Sequence, residues 1–119
     1  MAIDPSALQQ IVSLDQQTGG GLLEELVGMF FDGTARRLVT LAQVLARGDA
    51  TAVERELHSI RGSAGALGAT DLMALAGVLE RAARSGQLND VSAGMGGLQQ
   101  AFDEACALLR AEQARLGAG

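Results

Sequence analysis

Residues 22–46 read LLEELVGMFFDGTARRLVTLAQVLA. Leu23, Val27, Phe30, Thr34, Leu38, Leu41 and Leu45 recur at three- and four-residue steps, close to the helical period of 3.6. One apolar stripe sustained over that length predicts an amphipathic helix of about seven turns. Asp32-Gly33 is the one place where a kink or split is expected. Upstream, Thr18-Gly19-Gly20-Gly21 predicts a loop, and Asp4 followed by Pro5 predicts the cap and first residue of a short helix ending near Leu14. Downstream, Gly48-Asp49 stops the long helix and caps a third, about residues 50–67, with Val53, Leu57, Ile60, Ala64 and Leu67 inward. Gly68 suits the left-handed residue that follows it. Thr70 is expected to cap a fourth helix, with Leu72, Leu75, Ala76, Leu79 and Ala83 inward and Gly86 ending it. Asn89 or Asp90 starts a fifth, with Val91, Met95, Leu98, Phe102, Ala105 and Leu109 inward, and Gly94, Gly96 and Gly97 weaken its first turns.

Short loops between long helices make sequence neighbours antiparallel. The expected fold is therefore all-α: an up-down antiparallel four-helix bundle with a short extra N-terminal helix laid across it, one domain over residues 1–119. The composition agrees. Ala, Leu, Glu, Gln and Arg dominate, and the only proline is Pro5. Apolar residues make up 48% and charged residues 19%, which excludes a disordered tail.

The same figures exclude several function classes. The net charge is −5, from 14 acids against nine bases, all arginine, and aromatics are 3%. A surface of that sign repels phosphate backbones and offers few stacking platforms, so nucleic-acid binding is not expected. No apolar run reaches the ~20 residues that span a bilayer, and the stretch from Met1 to Leu14 lacks the basic start of a signal peptide, so a cytoplasmic domain is expected. Cys106 is the only cysteine, which removes an internal disulfide; beside Ala105 and Leu109 it reads as a small buried hydrophobe.

One histidine is present, His58. On a helical wheel it lies about 140° from the stripe of the third helix, so it faces solvent. Arg55 and Arg61 stand three residues before and after it, Gly62 one turn above, and Gly65 on the same face. Two glycines inside a helix cost about 1 kcal/mol each against alanine. With both off the core stripe, close approach of a partner to His58 explains them better than helix packing.

The segment His58-Ser59-Ile60-Arg61-Gly62-Ser63-Ala64-Gly65-Ala66-Leu67-Gly68-Ala69 resembles the signature of histidine-containing phosphotransfer (HPt) domains. Leu79-Glu80, Arg84 and the Gly48-Asp49 turn fit the same pattern, and the likeness covers about residues 20–110. Arg61 departs from it, since lysine is commoner there, but both are cations. The resemblance implies a phosphorelay intermediate of two-component signalling. His58 would carry a phosphoryl group between receiver aspartates, Arg61 would stabilise the phosphate, and Gly62 would admit the partner. Arg55, Arg84, Glu80 and Gly65 are supporting candidates, with Glu54 or Glu80 fixing the ring tautomer.

Implied partners are response-regulator receiver domains and a hybrid histidine kinase. This chain, expected to be a monomer, would bind no cofactor or metal; Mg²⁺ would sit on the receiver. It carries no ATP-binding motif and no lysine, so it is not expected to be a kinase. The alternative is a helical scaffold or interaction module with an incidental surface histidine. An enzyme using His58 as general base with Glu54 or Glu80 is disfavoured, because the sequence shows no second polar group converging in a pocket. A start at Met1 and a Gly117-Ala118-Gly119 tail suggest a standalone protein, and the Ala-, Gly- and Arg-rich usage a GC-rich bacterial genome.

Overall fold

The computed structural model describes residues 4–117. Met1 and the end at Ala118 and Gly119 lie outside them. Five helices follow in order: α1 Pro5–Thr18, α2 Leu22–Ala46, α3 Ala50–Ala66, α4 Thr70–Arg84 and α5 Leu88–Gly117. α2 packs on α3, α3 on α4 and α4 on α5, and α5 closes back on α2. Phe30 and Phe102 meet across that closure, with ring centroids 5.8 Å apart. Leu41, Val53, Leu57, Ile60, Leu72, Val91, Leu98 and Leu109 fill the core.

Most boundaries follow from their caps. The Asp4 carboxylate accepts from the Ser6 N–H at 2.9 Å, and the Asp49 carboxylate from the Ala52 N–H at 3.1 Å, so each satisfies one orphan donor of the first turn. Where sequence and structure differ, local chemistry gives the reason. α1 runs to Thr18 rather than Leu14, because Asp15, Gln16 and Gln17 tolerate helix and nothing breaks it before Gly19. Gly19, Gly20 and Gly21 form the loop with φ of +94°, +96° and +92°, where a side chain would be strained. The Asp15 carboxylate accepts the Leu22 N–H and so joins α1 to the start of α2.

α2 passes through Asp32-Gly33 without a break, because Thr34 and Phe30 remain buried on the same stripe. Val44 takes the buried place near its end, and Leu45 is half-buried beside it. α3 stops one residue earlier than expected, with Leu67 as its C-cap. The N-cap of α4 falls on Ala69, not Thr70, so no side chain caps it. α5 begins at Leu88, ahead of Asn89, and takes in Gly117. Leu75 and Met95 are half-buried rather than fully inward, as is Cys106, which packs at the margin of the core.

α1 bridges one end of the bundle. Its C-terminus leads into α2, while the N–H of Asp4 donates to the carbonyl of Gly68 in the α3–α4 turn. Antiparallel packing puts those two points at the same end, and the buried Leu8 anchors the helix between them.

Candidate functional site

His58 lies mid-way along α3, eight residues before its end. Its side chain is 65% exposed, as the wheel requires. Beneath it on α4 sits Glu80, one of two buried polar side chains among the described residues, 4% exposed. The α4 wheel that turns Leu72, Ala76, Leu79 and Ala83 into the core turns Glu80 towards α3. Its carboxylate therefore reaches His58 from inside the bundle, with Oε2 3.0 Å from Nδ1.

A carboxylate this buried needs compensating charge. Two arginines supply it. Arg61, on α3, places Nε 2.8 Å from Glu80 Oε1. That nitrogen is buried and its N–H is not aimed at the oxygen, so the contact is an ion pair rather than a hydrogen bond. Arg84, one turn beyond Glu80, donates from Nη2 to Glu80 Oε2 at 3.2 Å and from Nε to Glu54 Oε1 at 2.9 Å. The Glu54 hydrogen bond and charge, with a smaller contribution from Glu80, hold the Arg84 guanidinium above its ordinary pKa. Glu54, Arg84, Glu80 and Arg61 thus lace α3 to α4 under the histidine.

The proton on His58 follows from the donor set. Arg61 Nη2 also lies 3.0 Å from Nδ1. One nitrogen cannot donate to a carboxylate and accept from a guanidinium together. The buried, charged carboxylate is the stronger competitor for Nδ1, while the outward Arg61 Nη2 can turn to water, so the arrangement that satisfies both has the hydrogen on Nδ1, donated to Glu80. Nε2 is then the nitrogen with the free lone pair.

Of the expected site residues, His58, Arg61, Glu80 and Arg84 come together, with Glu54 at their edge. Between the two candidates for the ring contact, Glu80 makes it. Arg55 lines an open groove beside His58 with Thr51, Glu54, Ser59 and Arg84. It forms no ion pair among the described residues. Polar groups therefore do converge on the imidazole, contrary to the sequence expectation. Their source is α4, which a wheel of α3 alone cannot show. Gly62 is exposed, with nothing within 4 Å of where a Cβ would sit. Gly65 is different: a Cβ there would meet Met73 Sδ at 3.0 Å. It faces the flexible side chain of Met73 on α4 rather than open space. Sequence reasoning missed Gly77, buried on α4, where a Cβ would meet Arg61 Cδ at 3.4 Å. The signal was the one that flagged Gly62, a glycine inside a helix.

An oriented, solvent-facing imidazole on a helical bundle leaves its outer nitrogen open to a partner rather than enclosed in a pocket. The family model described as the Hpt domain matches residues 25–112, and the chain belongs to that family. Among solved structures, histidine-containing phosphotransfer protein B (HptB) from Pseudomonas aeruginosa PAO1 is similar at 26% identity and a TM-score of 0.83, over 96% of both chains. A rice protein described as a histidine-containing phosphotransfer protein shares the fold at 21% identity and a TM-score of 0.62, over 94% of this chain and 84% of its own. Among curated proteins, no match was found.

Proposed function

We propose that His58 is the residue that carries the phosphoryl group in a two-component phosphorelay, accepting it from and returning it to receiver-domain aspartates. One observation carries this reading: the exposed imidazole is tied through Nδ1 to buried Glu80. Nε2 attacks phosphorus in line, the bond from phosphorus to the aspartyl oxygen breaks, and the receiver's carboxylate leaves with that electron pair. A Nε2–P bond forms, and the ring, which keeps its Nδ1 hydrogen, becomes cationic. Glu80 accepts a hydrogen bond from that hydrogen and offsets the new charge. The return transfer reverses each step.

Arg61 keeps Nε at Glu80 while its outer nitrogens, on the solvent side, are free to turn towards the equatorial oxygens, where charge lies in a loose transition state. Gly62, without a side chain and with open space above it, lets the receiver come close enough for alignment. Beyond it, Met29 is 63% exposed beside an apolar groove with Leu26, Ser63 and Ala66. This gives the docked partner a non-polar footing next to the histidine. Mg²⁺ and the acyl phosphate come with the receiver, and this chain is a carrier rather than a kinase, working as a monomer in the cytoplasm. Among the described residues no helix is long and apolar enough to cross a membrane.

Incubation with a phosphorylated receiver tests the reading. Acid-labile, base-stable label appears on the protein and is absent from His58→Gln. Label persisting on the variant makes another residue the carrier, and no label on either supports the scaffold alternative.

A further inference from the structure

Arg61 does not reach Glu80 freely. From α3 its side chain crosses the surface of α4, and the point of crossing is Gly77. A Cβ built there lies 3.4 Å from Arg61 Cδ and 3.7 Å from Arg81 Nη1. Gly77 is buried in the interior of α4, one turn before Glu80, where glycine is unfavourable for the helix. Its φ is not positive, so the backbone does not demand glycine. The Arg61 stem running beside it leaves room for no more than a small residue.

We propose that Gly77 is a positioning residue for phosphoryl transfer. It forms the slot that seats Arg61 against Glu80, and so fixes the carboxylate that holds the Nδ1 hydrogen of His58. This rests on His58 being the carrier, but its first consequence concerns the free protein. The links are Gly77 to Arg61 Cδ, Arg61 Nε to Glu80 Oε1 at 2.8 Å, and Glu80 Oε2 to His58 Nδ1 at 3.0 Å. The slot also explains how Arg61 Nε comes to be buried beside the carboxylate without a hydrogen bond of its own. The stem is confined by the wall of α4, and the ion pair follows from where the stem must run. A methyl group fits at an ordinary contact distance, whereas any longer side chain competes with Arg61 Cδ for the same volume.

The test is a size series at position 77, read in two ways. The first is the ¹⁵N signature of the His58 ring in the free, unphosphorylated protein, which reports the Nδ1–H and Nε2–H tautomers. The second is the rate of transfer from a phosphorylated receiver. Gly77→Ala keeps the wild-type tautomer, transfers within about twofold and melts higher. Gly77→Leu moves the ring towards a mixture of tautomers and slows transfer by about 10- to 100-fold, the scale of a misplaced reacting group. Gly77→Met, more flexible, gives an intermediate effect and serves where Gly77→Leu does not fold.

Coupling separates positioning from general damage. In an Arg61→Ala background the slot is empty, so adding Gly77→Leu produces no further loss in either readout. A folded Gly77→Leu or Gly77→Met with the wild-type tautomer and rate overturns the proposal, and so does a loss that simply adds to that of Arg61→Ala. If His58 proves not to be the carrier, label on His58→Gln reveals it, and the tautomer arm still decides whether Gly77 orders the ring.

Discussion

At the scale of single residues, the site rests on a difference in exposure between two side chains in contact. The His58 side chain is largely exposed and that of Glu80 is almost wholly buried. The imidazole can meet a partner, while the group that sets its tautomer stays beyond the partner's reach and beyond water's screening. Removing the imidazole should therefore cost function alone. His58→Gln is expected to melt within about 0.5 kcal/mol of wild type, as exposed substitutions do, and to accept no phosphoryl group. Circular dichroism melts and receiver labelling on the same preparation check both halves. Glu80→Gln probes the partner. It keeps the size and a carbonyl acceptor but removes the charge that offsets the cationic phosphoimidazole. Transfer should slow about tenfold, corresponding to roughly 1.4 kcal/mol at the transition state. A rapid-quench time course measures it; an unchanged rate would mean that the carboxylate only cements α3 to α4. His58, Arg61 and Glu80 were all legible from the chain. The pairing of Glu80 rather than Glu54 with the ring was not, because it depends on how α4 is rotated against α3, which no single-helix wheel contains.

At the scale of helices, glycines that look alike in the sequence do opposite things. A Cβ at Gly62 meets nothing, whereas one at Gly94 on α5 would come within 2.5 Å of Leu79 Cδ2 and 3.1 Å of Cδ1. Leu79 is itself 4% exposed and enclosed by the core, so it has little room to yield. Gly94 thus sets the spacing of α5 on α4, and what reads in sequence as a weakened first turn is a packing contact between helices. Gly65 likewise has a neighbour across the interface, the Met73 side chain of α4. Helical periodicity located every helix, because burial of one stripe dominates. It could not sort the glycines, because their role lies in the neighbour across the interface. Two substitutions separate the cases. Gly62→Ala is expected to stabilise by about 0.5–1 kcal/mol from helix propensity, and Gly62→Gln to stay near neutral yet transfer poorly, since its side chain fills the approach to His58. Gly94→Ala is expected to destabilise by about 1 kcal/mol despite the same gain in propensity, because overpacking outweighs it. Urea melts give both signs; stabilisation at position 94 would show that Leu79 repacks freely.

At the scale of the whole molecule, α1 stands apart from the machinery it accompanies. The family match begins at residue 25, after α1 has ended. α1 nevertheless closes the end of the bundle where α2 starts and α3 stops. Leu8 is 3% exposed, Ile11 and Val12 pack on the core, and Asp4 meets Gly68 backbone to backbone. His58 is eight residues from that end of α3, about 12 Å at the helical rise. Its polar contacts are all to α3 and α4, although α1 borders the docking face where Ile11 lines the apolar groove beside Met29. Removing residues 1–20 should therefore separate stability from function. Uncovering one fully buried leucine and two partly buried residues loses about 2–4 kcal/mol of apolar burial, and the freed helix recovers part of that in chain entropy. The expected result is a folded bundle with a lower melting temperature and a transfer rate within about twofold of the full chain at a temperature where both are folded. A shortened protein that melts as the full chain does would mean that α1 is a passive appendage. One that stays folded but transfers tenfold more slowly would mean that the cap reaches the histidine through α3, and that the division between closing the bundle and presenting His58 is not the one drawn from these contacts.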